Sequence, residues 1–230
     1  MIRRNELPVR ISPDAQVTAL VYGAAEPRLD TALILAHGAG AGQQSTFMTS
    51  FATAFAELGV DAITFNFLYT ERRRRIPDRR PALEACYAAV IQAVRSELRS
   101  TAPLFIGGKS MGGRIATHVA AAGLAEAPRG IVLLGYPLHP PGRPNERRDA
   151  HLPDVGCPML FVQGSRDTFG TPAELKPVFA SLRAPATLHA VDGGDHSFKV
   201  SNAGRRQEQV FLDMQRAVVK WMRGVVTEDA

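Results

Sequence analysis

A serine stands between two glycines at Gly108-Lys109-Ser110-Met111-Gly112, and its flanks say what it could do. The apolar run Leu104-Phe105-Ile106 precedes it, and an Ala-rich stretch from Arg114 to Ala122 follows. A strand, a sharp glycine turn and a helix with serine at the apex form a nucleophile elbow. Gly108 and Gly112 lack Cβ atoms, so the turn can be tight and the helix can cross the strand closely. Ser110 is then held proud of a sheet at a helix N-terminus, where the dipole favours developing negative charge. Gly108-Lys109-Ser110 also ends like a phosphate-binding loop. That motif needs a glycine at 103, and the chain has Pro103 there.

A serine hydroxyl attacks a carbonyl only when a base takes its proton and a third group orients that base. The chain has six histidines. His37 precedes the serine, which is the wrong order for this elbow, and His118 falls on the helix after it. His139 and His151 lie in the connection that follows. His189 sits inside the strand-like run Thr187-Leu188-His189-Ala190-Val191, where a structural role is expected. His196 lies in the loop Gly193-Gly194-Asp195-His196-Ser197-Phe198 beyond that strand and is the expected base. Met159-Leu160-Phe161-Val162-Gln163 is an apolar run bounded by Pro158 and Gly164, a buried-strand pattern. Asp167 follows it, at the sheet edge where open α/β sheets place their sites, and is the expected acid. Asp192 and Asp195 are the alternatives. Asp195 is too close in sequence to orient the ring and is expected to shape the loop.

An oxyanion also needs donors. Leu33-Ile34-Leu35-Ala36 reads as a strand, and His37-Gly38-Ala39-Gly40-Ala41-Gly42 follows it. One donor would be the amide of Met111, the residue after the nucleophile. The other would be the amide of Ala39 or Gly40. The rival is a dinucleotide fingerprint, whose third glycine should fall at 43, where the chain has Gln43. Phe67, Tyr69, Tyr136, Leu138, Phe169 and Phe198 are the candidate apolar walls of a substrate pocket.

With these residues in view, the chain resembles the α/β-hydrolases over nearly its whole length. It is most similar to a small, cap-less branch typified by the testis-expressed-protein and NSL-chromatin-complex hydrolase-like proteins, with dienelactone-hydrolase-like relatives. The residues that carry the resemblance are His37-Gly38-Ala39-Gly40, Phe65-Asn66-Phe67, Gly108 to Arg114, and Tyr136-Pro137-Leu138-His139-Pro140-Pro141-Gly142. Gln163-Gly164 with Asp167 and Gly170, and Asp195-His196-Ser197-Phe198, complete the set. The chain departs at Leu68, where the family often has proline. The resemblance implies Ser110, Asp167 and His196 as the triad and names no substrate. Some relatives serve as subunits of assemblies, so it also implies a second reading, an interaction module that keeps the fold without the catalysis.

The elements around these residues must hold them at one edge of a sheet. Strands are expected near 17–22, 31–36, 60–66, 103–107, 129–135, 158–163 and 186–191, with a weaker one near 8–12. Helices are expected near 45–58, 82–100, 112–125, 172–183 and 204–224. Such alternation predicts an α/β fold, the α/β-hydrolase fold. Its sheet would be mostly parallel, of about seven or eight strands, with helices on both faces and an antiparallel first edge. The connection 136–156 is too short for a cap domain.

Residues 1–230 suit a single domain. The N-terminus has no apolar signal-peptide core, and no apolar run approaches a membrane span. Cys86 and Cys157 fall in apolar stretches and are expected to be buried thiols in a reducing cytoplasm. Net charge is +5, and Arg72, Arg73, Arg74, Arg75, Arg79 and Arg80 form a dense run. Arg143, Arg147, Arg148, Arg205 and Arg206 add charge elsewhere. The run is either a solvated basic loop or a device that binds an anionic partner or draws an anionic substrate to the same sheet edge. No nucleic-acid-binding motif accompanies it. The expected activity is a serine hydrolase cleaving a carboxylic ester through an acyl-enzyme, with thioesters and amides as alternative substrates. That chemistry requires neither a cofactor nor a metal, and the expected partner is a small acyl compound.

Overall fold

Near-continuous apolar runs make the centre of the molecule, as expected of strands covered on both faces. The computed structural model describes residues 2–97, 102–201 and 207–227. The eight strands are β1 (Arg4–Ser12), β2 (Ala15–Tyr22), β3 (Ala32–Ala36), β4 (Asp61–Phe65), β5 (Leu104–Lys109), β6 (Gly130–Leu134), β7 (Met159–Gly164) and β8 (Ala186–Val191). They form one sheet in the order β1-β2-β4-β3-β5-β6-β7-β8. β2 pairs antiparallel with both β1 and β4, and every other pairing is parallel. The single reversed strand is thus β2, and β1 is a full nine-residue strand rather than the weak one its sequence suggests.

Six helices cover the sheet among the described residues: α1 (Thr46–Glu57), α2 (Leu68–Glu71), α3 (Arg80–Glu97), α4 (Met111–Ala121), α5 (Pro172–Phe179) and α6 (Gln207–Thr227). One core layer joins the sheet to α3, α4 and α5 through residues such as Tyr87, Ile115 and Leu175. The other joins it to α1 and α6 through residues such as Phe51, Phe55 and Met214. α2 has no counterpart among the expected helices, since four residues show no periodicity. It opens at Leu68, the position that departs from the family pattern. α5 ends sooner than expected, and Pro177 removes one of its backbone donors. Residues 98–100 of one expected helix, the start of another at 204, and Arg205 and Arg206 lie outside the described residues.

The connection from β6 to β7 carries only a single 3₁₀ turn at Leu152–Asp154, so no inserted domain covers the strand ends. Cys86 and Cys157 are buried free thiols, and burial pushes both up to about 12.

Tyr87 pins the strand that delivers the serine. Its hydroxyl accepts the Gly107 amide at 2.9 Å and lies 2.7 Å from Gly107 O and 3.1 Å from Ile34 O, bridging β3 and β5. Burial drives its phenol far above the ordinary range, so it stays a neutral donor. Replacing one partner leaves the others buried and unpaired. Tyr87→Phe should therefore lower stability by about 1–3 kcal/mol, read as a lower urea midpoint at unchanged slope.

Candidate active site

The elbow forms where β5 runs into α4. Ser110 has φ of 52° and ψ of −115°, an uncommon conformation for a residue with a side chain. The two glycines make it possible by removing atoms. A Cβ on Gly108 would lie 2.4 Å from Ala36 O, and one on Gly112 would lie 2.3 Å from the same oxygen. β3 and α4 therefore approach backbone to backbone, and Ser110 is lifted out of the sheet between them. Its own amide still pairs with Leu134 O of β6 at 3.0 Å.

Tertiary structure brings the expected partners to that hydroxyl. Ser110 Oγ lies 2.8 Å from His196 Nε2, and His196 Nδ1 lies 2.8 Å from Asp167 Oδ2. The neutral tautomer that fits donates from Nδ1 to the carboxylate and accepts the serine proton at Nε2. Asp167 is 1% exposed, whereas Ser110 and His196 are reached from solvent. The Phe169 amide donates to Asp167 Oδ1 at 2.8 Å, and Gln163 Nε2 donates to Oδ2 at 2.9 Å. Phe169 also stacks on the imidazole, ring centroids 4.1 Å apart. Asp195 shapes the histidine loop, as its position suggests. Its Oδ1 accepts the amides of Ser197 and Lys199.

Ala39 and Gly40 are exposed at the mouth of the site, and their amides donate to no described group. Met111 begins α4, at the end where a helix leaves its first amides without internal partners. Two side chains, His37 set aside as a base and Tyr69 expected as a pocket wall, support this loop instead. His37 is fully buried; its Nδ1 donates to Gly38 O at 2.8 Å and its Nε2 accepts the Phe67 amide at 3.2 Å. Burial lowers its pKa, so it stays neutral in that bridge. The Tyr69 hydroxyl donates to Ala39 O at 3.0 Å.

A cleft of about 850 Å³ opens over Ser110 and His196. Of the six expected walls only Phe169 borders it. Phe67, Tyr69, Tyr136, Leu138 and Phe198 are buried in the core. Sequence adjacency to a strand end placed them near the site, but their side chains turn inward, because large apolar groups lose more water by burial than by facing a cleft. The apolar walls are instead Phe47, Met48 and Phe211, from α1 and α6. The arginine run does not reach the cleft either. Arg72 to Arg75, Arg79 and Arg80 are exposed, with Arg74 paired to Asp78 and Arg80 to Glu84. The cleft's basic groups are Lys109, Arg114, Arg148 and Lys199. Among the described residues no cluster of three or more His, Cys, Asp or Glu could hold a metal ion, and no helix is long and apolar enough to cross a membrane.

The chain belongs to the α/β-hydrolase family: the alpha/beta hydrolase domain family matches residues 29–223. Membership puts it in the hydrolase class. Solved structures share the fold. An alpha-beta serine hydrolase homologue from Coxiella burnetii superposes with a TM-score of 0.74 at 17% identity, covering 94% of this chain and 96% of that one. A serine hydrolase without a lid from Xanthomonas campestris gives 0.73 at 21% identity, with 95% of each chain covered. The dienelactone hydrolase from Anabaena variabilis gives 0.74 at 16% identity, with 96% of each covered.

Gln163, the penultimate residue of β7, is the hub of the acid. Besides Asp167 it donates to Gly170 O at 2.6 Å, and its Oε1 accepts the Tyr136 amide at 2.8 Å. Gln163→Leu should let the carboxylate and its loop drift. The rate at which a fluorophosphonate labels Ser110 should then fall about 10²-fold, as small misplacements do to reacting groups. Labelling at the wild-type rate would show that Asp167 does not depend on Gln163.

Lys109 carries a second prediction. Its ammonium sits 5.4 Å from the Phe198 ring centroid, and burial, opposed by Asp167 and Asp195, lowers its pKa from 10.5 to about 8. Between those values the unfolded chain binds the proton that the folded chain has released. Stability therefore gains from this group as pH rises from about 8 to 10.5. Lys109→Met should flatten that rise in urea titrations and raise stability at neutral pH.

Proposed function

We propose that the protein is a serine hydrolase that cleaves a carboxylic ester through an acyl-enzyme. The observation that carries this reading is the unbroken hydrogen-bonded chain from Ser110 Oγ through His196 to buried Asp167, opening on a cleft large enough for a small substrate. In the first step Ser110 Oγ attacks the acyl carbonyl and His196 Nε2 takes its proton. Asp167 holds the imidazole tautomer and stabilises the imidazolium. The amides of Met111 and of Ala39 or Gly40 receive the negative charge on oxygen. His196 then protonates the leaving group, and the carbonyl bond to it breaks. Water attacks the acyl-enzyme with His196 again as base, and Ser110 is restored.

An ester is favoured because an alkoxide leaves an acyl carbon more readily than an amide nitrogen does, so less is asked of His196 as acid. Thioesters and amides are the alternatives. The strained serine and its complete hydrogen-bond chain also support catalysis over a purely structural use of the fold. The Gly-Lys-Ser and Tyr-Pro-Leu-His runs support the narrower cap-less branch. Two buried free thiols support a reducing compartment, the cytoplasm.

Matched p-nitrophenyl esters, thioesters and anilides of varied acyl length test the reading. Esters should turn over fastest. Ser110→Ala should abolish turnover and fluorophosphonate labelling, a loss on the order of a million-fold in kcat. Asp167→Asn should cut kcat by roughly 10⁴ with little change in KM. Ester hydrolysis that survives Ser110→Ala would overturn the assignment.

A further inference from the structure

Two guanidinium groups enter the cleft without a counter-ion among the described residues. Arg114 is on α4 and Arg148 on the connection between β6 and β7, and both line the cleft with Ser110 and His196. Both are half-buried. Among the described residues neither side chain makes a hydrogen bond or ion pair, and Arg114 Nε is buried with no partner at all. The other arginines of this region differ: Arg147 pairs with Asp149, Arg143 with Glu146 and Arg80 with Glu84.

The two charges act on one another. Burial first, and then the Arg148 charge, hold Arg114 below the ordinary arginine value, with Glu84 acting in the opposite direction. The groups packed around them do not relieve this. His118 and His151 stack with centroids 3.5 Å apart. Burial, with nearby Arg80 and Arg114, lowers them to about 3 and about 4, so both are neutral at pH 7. The Tyr136 hydroxyl donates to Arg148 O and stays protonated because burial drives it up. Two like charges facing one cleft are unfavourable unless an anion joins them. Arg is the residue whose planar donors match a carboxylate in pairs.

Arg114 N–H donates to Ser110 O at 3.1 Å, so Arg114 lies within the first turn of the helix that starts at the nucleophile. The opposite wall, Phe47, Met48 and Phe211, belongs to helices on the other side of the sheet. Both guanidinium groups thus lie on the α4 side of the cleft, and the aromatic wall lies on the α1 and α6 side.

We propose that Arg114 and Arg148 form a carboxylate-binding subsite, and that the substrate is a half-ester of a short dicarboxylic acid whose free carboxylate they hold. The inference rests on the ester-hydrolase reading and names its substrate class. The arginine run at 72–80 has no part in it.

The experiment compares mono-p-nitrophenyl adipate with its neutral counterpart, p-nitrophenyl 6-methylheptanoate, each corrected for spontaneous hydrolysis. The wild type should favour the charged ester in kcat/KM by about tenfold or more, as expected for one well-made ionic contact. Arg148→Gln and Arg114→Gln should each reduce that ratio, and the double variant should bring it to about one. Sodium chloride raised from about 0.05 M to about 0.5 M should narrow it, by screening. Arg148 lies outside regular secondary structure and its side chain bonds nothing among the described residues, so its variant reads the subsite even if Arg114→Gln does not fold. A wild type without preference, or a preference that survives Arg148→Gln, would overturn the subsite. Adipate binding to Ser110→Ala, measured by calorimetry, separates the two readings. Binding that is lost in Ser110→Ala/Arg148→Gln keeps the subsite even where no ester is cleaved, and the ester-hydrolase reading fails alone. Esters cleaved without preference and no adipate binding sink only the subsite. Phosphate that binds tightly where adipate does not would overturn the carboxylate assignment.

Discussion

Everything at this site depends on how closely α4 crosses the ends of β3 and β5. Ala36 O is the point of contact, and neither Gly108 nor Gly112 could carry a Cβ there. That approach forces Ser110 into a left-handed backbone conformation that costs about 1–3 kcal/mol. The surrounding sheet holds it, through the Ser110 amide on Leu134 O and the Tyr87 hydroxyl between β3 and β5. The same crossing presents the first amide of α4 beside the loop after β3. One packing constraint thus positions the nucleophile and both candidate oxyanion donors.

The remaining parts are held by buried polar groups whose bonds are all made. Gln163 satisfies three backbone groups and one carboxylate oxygen. His37 satisfies Gly38 O and the Phe67 amide. A buried polar group left unpaired costs more than its bond returns. These residues therefore rigidify the loops at the strand ends, although none touches a substrate. The large aromatics Phe67, Tyr69 and Tyr136 belong to the same support. They lie one layer behind the cleft, and two of them lend a hydroxyl to a loop carbonyl.

Charge is divided between the surface and the cleft in a way that composition conceals. The dense arginines at 72–80 are solvated, and Arg74 and Arg80 are paired locally with acids four residues on. Such exposed pairs contribute little and are screened by salt. Arg114 and Arg148 lie far apart in the sequence, yet they line one cleft with Ser110. A cluster in the chain is not a cluster in space, because helix periodicity and the sheet order decide which side chains meet.

Strand and helix positions, the elbow and the order of Ser110, Asp167 and His196 were legible in the sequence. Each rests on local signals: apolar runs ending in Gly or Pro, and glycines where the backbone must turn. The apolar periodicity likewise determined a parallel sheet covered on both faces. Only the tertiary structure decided what the residues between those signals face. It turned five of six aromatic or apolar candidates into the core, and took the wall from Phe47, Met48 and Phe211 on distant helices. It gave Gln163 and His37 supporting bonds that their motifs do not specify, and it brought Arg114 and Arg148 to the cleft in place of the arginine run. The reason is physical: local signals set backbone conformation within a few residues. Which side of an element meets water, and which distant group it meets, is set by packing the whole sheet against two layers of helices.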